Sequence, residues 1–166
     1  MNMTIASRAL SLRSAQAWIW AAAFVAGNLI MPHICHLVPL GGKMFLPIML
    51  FTMVAAVRFG MGCALVTALA SPLAGYALFG APSGDILTAV IVKSVVIALA
   101  FGLWRQYKGF AALSLAGLVV ACQLICLPIE GALLFGFATS WNDLLLSVPG
   151  MVLQWIVAMA VVKYWK

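Results

Sequence analysis

Three groups of side chains in this sequence have types and spacings that could do chemistry. The first is Lys93, alone in the run Ile86-Leu-Thr-Ala-Val-Ile-Val-Lys-Ser-Val-Val-Ile-Ala-Leu-Ala100. A cation in such a run costs about 2.5–3.5 kcal/mol on insertion scales, so it faces other helices or a cavity, or climbs toward the nearer surface. It can capture a carboxylate or phosphate, or pair with an acid of the same chain, Glu130 or Asp85. The second group is His33-x-Cys35-His36. Imidazole and thiolate suit zinc, nickel or copper. The spacing matches no closed zinc site and a fourth ligand is missing, so the expectation is no metal, with His33 and His36 on a pocket rim. The third is Cys122 and Cys126, one helical turn apart. Their side chains project in parallel, which suits a disulfide poorly. With Cys63 they read as small buried hydrophobes.

Weaker candidates surround these. Asn28, Gln123 and Gln154 are amides in apolar stretches, where hydrogen bonds between helices are the usual explanation. Gln123 falls at a depth similar to that of Lys93, so the two can line one cavity. Trp141 beside Asn142 and Asp143 offers a stacking face to a flat ligand, or a residue of the outer aromatic belt. The Trp104, Tyr107, Tyr164 and Trp165 rings read as the inner belt.

The elements that position these residues follow from composition. The chain has 166 residues, 66% of them hydrophobic and 7% charged. Its mean hydropathy is +1.19. A globular chain is about 45–50% apolar and about 25% charged. The surplus has to face lipid, so the class is an all-α integral membrane protein in a single membrane domain over residues 1–166. A soluble catalytic domain has no room. Apolar runs give six spans near residues 15–31, 44–57, 60–79, 86–104, 110–127 and 144–162. Pro32 and Pro128 are read as stops, and Ser71-Pro72 lies inside the third span.

Charge placement orients the bundle. Arg8, Arg13, Arg58, Arg105, Lys108, Lys163 and Lys166 fall on one side of a six-span chain. The other side has Lys43 and all three acids, Asp85, Glu130 and Asp143. By the positive-inside rule both termini are cytoplasmic. The net charge of +6 is then a matter of topology, and no nucleic-acid partner is needed. A cleaved signal peptide is not expected, because a polar region before a cleavage site is missing and cleavage would break the charge pattern.

The connections differ between the two faces. The inner ones are minimal, whereas segments 32–43 and 128–142 are longer, punctuated by Pro and Gly, and apolar. They read as a lid or re-entrant turn roofing an outward-facing pocket, since irregular backbone survives at membrane depth only against protein or a cavity, or else as loops that pack on helix ends. In the first span Ala22-x-x-x-Ala26 and Ala23-x-x-x-Gly27 form a stripe of small side chains that admits another helix closely. There is no P-loop, no H-E-x-x-H and no G-x-S-x-G, and three acids near one surface make a poor proton relay. Energy for uphill transport would come from a partner.

An ordered set of segments resembles the substrate-binding S components of energy-coupling factor (ECF) transporters. It comprises His36-Leu-Val-Pro-Leu-Gly-Gly-Lys-Met-Phe-Leu-Pro-Ile-Met-Leu50, Arg58-Phe-Gly60, Ala68-Leu-Ala-Ser-Pro-Leu73 and Leu78-Phe-Gly-Ala-Pro82. The resemblance covers the first four spans by sequence and the last two by topology. It implies a six-helix bundle of a bacterial cytoplasmic membrane that binds a vitamin, precursor or metal ion near the outer face. The site would draw on the loop after the first helix, helices four to six and the loop between the last two. That assigns Lys93, Gln123, Glu130, Trp141, Asn142, His33 and His36 to substrate. Ala22 and Ala26 match the family's coupling pattern, and the implied partners are a membrane T component and two ATPase subunits. The start Met1-Asn2-Met3 lacks the Met-His of metal-binding members, so an organic ligand with an anionic group is expected, without cofactor or catalysis. The alternatives are a small metal or redox protein using His33, Cys35 and His36, and an assembly protein without ligand.

Overall fold

The computed structural model describes residues 11–35, 37, 44–45, 47–82, 84–107, 111–133 and 136–165. Arg8, His36, Lys43, Lys108 and Lys166 lie outside them, as do the side chains of Asp85 and Tyr107. The described residues form helices and no strand. The helices are α1 (Ala15–Cys35), α2 (Pro47–Phe59), α3 (Met61–Phe79), α4 (Asp85–Tyr107), α5 (Ala112–Leu133), α6 (Phe137–Leu146) and α7 (Val148–Tyr164). Four of them, α1, α3, α4 and α5, are long and apolar enough to cross a membrane, and α6 with α7 makes a fifth span if the bent pair is counted as one.

Two prolines read as stops lie inside helices instead. α1 continues through Pro32 to Cys35, and α5 through Pro128 to Leu133. Each stands within the last two turns, where losing one backbone donor disturbs few further hydrogen bonds. The segment 128–142, expected to be an irregular connection folding back as a lid or re-entrant turn, is largely helical among its described residues: the end of α5, then α6, which starts after Gly136 at φ 80°. A positive φ of this kind suits only a residue without a Cβ. The real break in the last span comes at Ser147, where α6 and α7 meet at 51°. Pro149, near the start of α7, explains it: the ring has no N–H to give and would crowd the carbonyl one turn back.

The short helix α2 is the hub. It packs against α1, α3, α4 and α7, and every residue from Thr52 to Val57 is buried. Its apolar surface is continuous around the axis, as a helix enclosed by protein requires. Gly60 alone joins it to α3, at φ 96°. Opposite that turn α4 comes close, because a Cβ on Gly102 would lie 2.7 Å from the Cβ of Met61.

A buried polar clasp ties the first three helices together. Asn28 Nδ2 donates to Ser71 Oγ at 2.9 Å and to Thr52 Oγ1 at 3.3 Å, while Asn28 Oδ1 accepts from the Phe51 N–H at 3.2 Å. Ser71 Oγ in turn donates to the Thr67 carbonyl at 2.7 Å. Bonds of this kind between membrane helices are worth about 0.6 kcal/mol on average and up to about 1.7. Asn28→Ala is therefore expected to cost about 1–2 kcal/mol, read as the shift in an unfolding titration in mixed micelles. A cost below about 0.3 kcal/mol would mean that water satisfies Thr52 and Ser71 equally well.

The two ends of the bundle differ in charge. One end carries Arg13, Arg58, Arg105 and Lys163, and there the rings of Trp20, Phe24, Phe59 and Trp165 pack on one another. The Arg58 guanidinium lies over Phe59 and Trp165 at 5.3 and 5.9 Å from the ring centres. Trp165, read as a belt residue, is thus part of a packed aromatic cluster. At the other end stand His33, Asp143 and the pair described next.

Candidate functional site: a buried ion pair between α4 and α5

Lys93 and Glu130 meet. Nζ lies 2.9 Å from Glu130 Oε1, with the side chains 14% and 5% exposed. Lys93 sits about two turns into α4, and Glu130 one turn from the end of α5. The lysine stem spans part of this offset, as long cationic side chains in membranes do. Of the two acids that could have paired with Lys93, the described geometry brings Glu130; the side chain of Asp85 lies outside the description.

The contact is ionic but off-axis. Glu130 Oε1 is buried and accepts no hydrogen bond from any described residue. A carboxylate has about four acceptor positions, so this one retains capacity. Other buried polar atoms share that state. Ser94 Oγ on α4, Ser140 Oγ on α6 and Gln154 Nε2 on α7 find no partner among the described residues. The expected hydrogen bond from Gln154 to a neighbouring helix is therefore not made by Nε2. The contrast with the first three helices is sharp, for there the amide of Asn28 is bonded at both its oxygen and its nitrogen. Unsatisfied buried groups in native structures call for a cause, and one cause is a partner molecule.

The remaining sequence candidates fall in different places. Gln123 is buried on the same face of α5 as Glu130, seven residues earlier, or about 10 Å of helix rise deeper. It shares the wall of Glu130 but not its level. Trp141 and Asn142 are exposed on α6, Trp141 by 53%, whereas Ser140 is the residue of that helix that is buried. Trp141 and Asn142 thus stand on other faces of α6 than Ser140, since three consecutive residues cannot share a face. His33 is exposed, its Nδ1 2.8 Å from the Leu29 carbonyl and its ring edge-on to Phe79 at 4.9 Å. His36 lies outside the described residues. No three His, Cys, Asp or Glu among the described residues are grouped to hold a metal. Cys63, Cys122 and Cys126 are free and buried, as small hydrophobes are.

Sequence reasoning did not single out Ser94 and Ser140. The signal was present for Ser94, a hydroxyl adjoining the one intramembrane lysine. Ser140 carries none, because Pro128 and the glycines after it predict a connection there rather than a helix.

The alanine stripe of α1 splits. Ala22 and Ala26 are exposed, on the side opposite the buried Ala17, Ala21, Phe24 and Asn28. Gly27 instead serves the chain's own packing, since a Cβ there would meet the Phe51 ring at 2.9 Å.

No protein-family model, curated protein or solved structure matches the chain.

Proposed function

We propose that this chain is the solute-binding membrane subunit of an ECF-type importer, in a bacterial cytoplasmic membrane. The reading rests first on the Lys93–Glu130 pair, two charges held between α4 and α5, with Glu130 Oε1 accepting no aligned hydrogen bond from the described residues. Intramembrane ionisable residues mark solute or ion pathways more often than they merely stabilise. In this reading α1, the short α2, α3, α4, α5 and the bent α6–α7 pair are six spans with both termini cytoplasmic. The basic, aromatic end faces the cytoplasm, and the ion pair lies toward the outside. Ser94, Gln123 and Ser140 line the same half and orient a small water-soluble vitamin or related metabolite. Trp141 and Asn142, now outward on α6, approach the solute only if α6 turns about the Ser147 bend.

Uptake needs an energy source that the chain does not encode. The exposed Ala22 and Ala26 present a smooth face on which a T component can seat a helix, with two ATPase subunits beneath. Ala22→Leu with Ala26→Leu is expected to leave folding unchanged, because both positions point away from the core. It should abolish copurification of ATPase subunits from the native membrane. Unchanged copurification would move the coupling face elsewhere.

The binding claim has its own test, native mass spectrometry of the detergent-purified protein with identification of released small molecules. A stoichiometric organic molecule is expected. A stoichiometric metal, or a protein that stays empty when offered its host's metabolites, would sink the proposal.

A further inference from the structure

We infer that the Lys93–Glu130 site takes an amphoteric solute, one bearing both an acidic and a basic group; this rests on the binding-subunit reading above. The two charges already cancel each other at 2.9 Å. A ligand that supplied only a carboxylate or phosphate to Lys93 would strand Glu130, which is 5% exposed, without a counter-charge. A ligand that supplied only an ammonium or amidine to Glu130 would strand Lys93. Removing one partner from a buried pair is strongly unfavourable, whereas replacing both together is not. Only a solute with both groups inserts into the pair and leaves every charge matched.

The geometry favours such insertion. Nζ lies 2.9 Å from Oε1, yet among the described residues Oε1 accepts no well-aligned hydrogen bond, so it keeps acceptor capacity. A basic group of the solute would supply a donor in line. Lys93 Nζ, with three donors, then turns to the solute's acidic group. Ser94 Oγ, the next position on α4, is buried and has no partner among the described residues. The expectation of an anionic ligand, which treated Lys93 as a free cation, is thereby narrowed: the acid of the solute must come with a base.

The test offers the full chain, purified in detergent, a deproteinised small-molecule extract of bacterial cells and their medium. Native mass spectrometry then identifies the water-soluble molecules retained by the wild type and by the double variant Lys93→Met with Glu130→Leu. The wild type is expected to retain a molecule with both an acidic and a basic group. The double variant, which removes both charges together, should bind that molecule at least about 100-fold more weakly, the scale of truncating a buried charged contact. A retained molecule that is purely acidic, purely basic or without ionisable groups overturns the inference and leaves the binding-subunit reading standing. So does equal retention by the double variant. A folded wild type that retains nothing overturns the binding-subunit reading itself. The identity of the wild-type ligand decides the class even if the double variant fails to fold.

Discussion

Glu130→Leu alone is expected to destabilise the folded chain by about 3–5 kcal/mol, and Lys93→Met alone by a similar amount. Each leaves one charge between α4 and α5 with nothing opposite it. The double variant is expected to recover to within about 1 kcal/mol of the wild type, because two apolar side chains of similar volume fill the same space. Unfolding titrations of all four chains in mixed micelles give the coupling energy directly. Purely additive costs would mean that the two side chains do not act as a pair. Small single-variant costs would mean that water reaches the site and hydrates whichever charge is left. The cycle is read without ligand, so it separates the role of the pair in the fold from its role toward a solute.

The second large effect is expected at Gly150, in the first turn of α7. A Cβ there would lie 2.5 Å from the Met44 carbonyl oxygen and 2.8 Å from the Phe45 carbonyl carbon. Both are backbone atoms and cannot swing aside. Gly150→Ala is therefore expected to cost about 3 kcal/mol, the upper end for overpacked positions. Gly117, on α5, is the matched control, since a Cβ there meets nothing within 4 Å. Gly117→Ala should be neutral or stabilising by up to about 1 kcal/mol, the gain of alanine over glycine in a helix. Thermal unfolding in detergent of the two variants side by side checks the pair. Equal effects would show that α7 does not press on residues 44–45 as closely as the structure has it.

The lipid-facing, all-helical character was legible in the composition, because too few polar residues exist to cover a water-exposed surface. The helix boundaries near Gly60 and Gly80 were legible too, since both glycines punctuate apolar runs and adopt positive φ. Pro32 and Pro128 misled, because a proline's identity does not say whether the neighbouring turn can spare a hydrogen bond. Reading residues 128–142 as irregular backbone followed from that, and it hid both α6 and the buried Ser140. The bend at Ser147 had its cause in view, in Pro149, but which side of a proline bends depends on packing. The choice between Glu130 and Asp85 as the partner of Lys93 could not come from sequence, because it depends on how α4 and α5 are rotated about their axes. The opposed faces of Ala22/Ala26 and Gly27 followed from helical periodicity once Asn28 was known to point inward.

The enclosure of α2 has a consequence for how the protein is made. Thirteen residues reach about 20 Å, against about 30 Å for the hydrocarbon core of a bilayer. Emerging from the ribosome by itself, such a segment would leave backbone ends in lipid and gain little by partitioning there. Its favourable environment consists of α1 and α3, and later of α4 and α7. Those arrive in a fixed order during synthesis, and the single residue Gly60 keeps α2 tethered to α3 as it appears. Membrane integration of this chain is thus cooperative from its first hairpin, with a helix too short to span by itself placed by its neighbours.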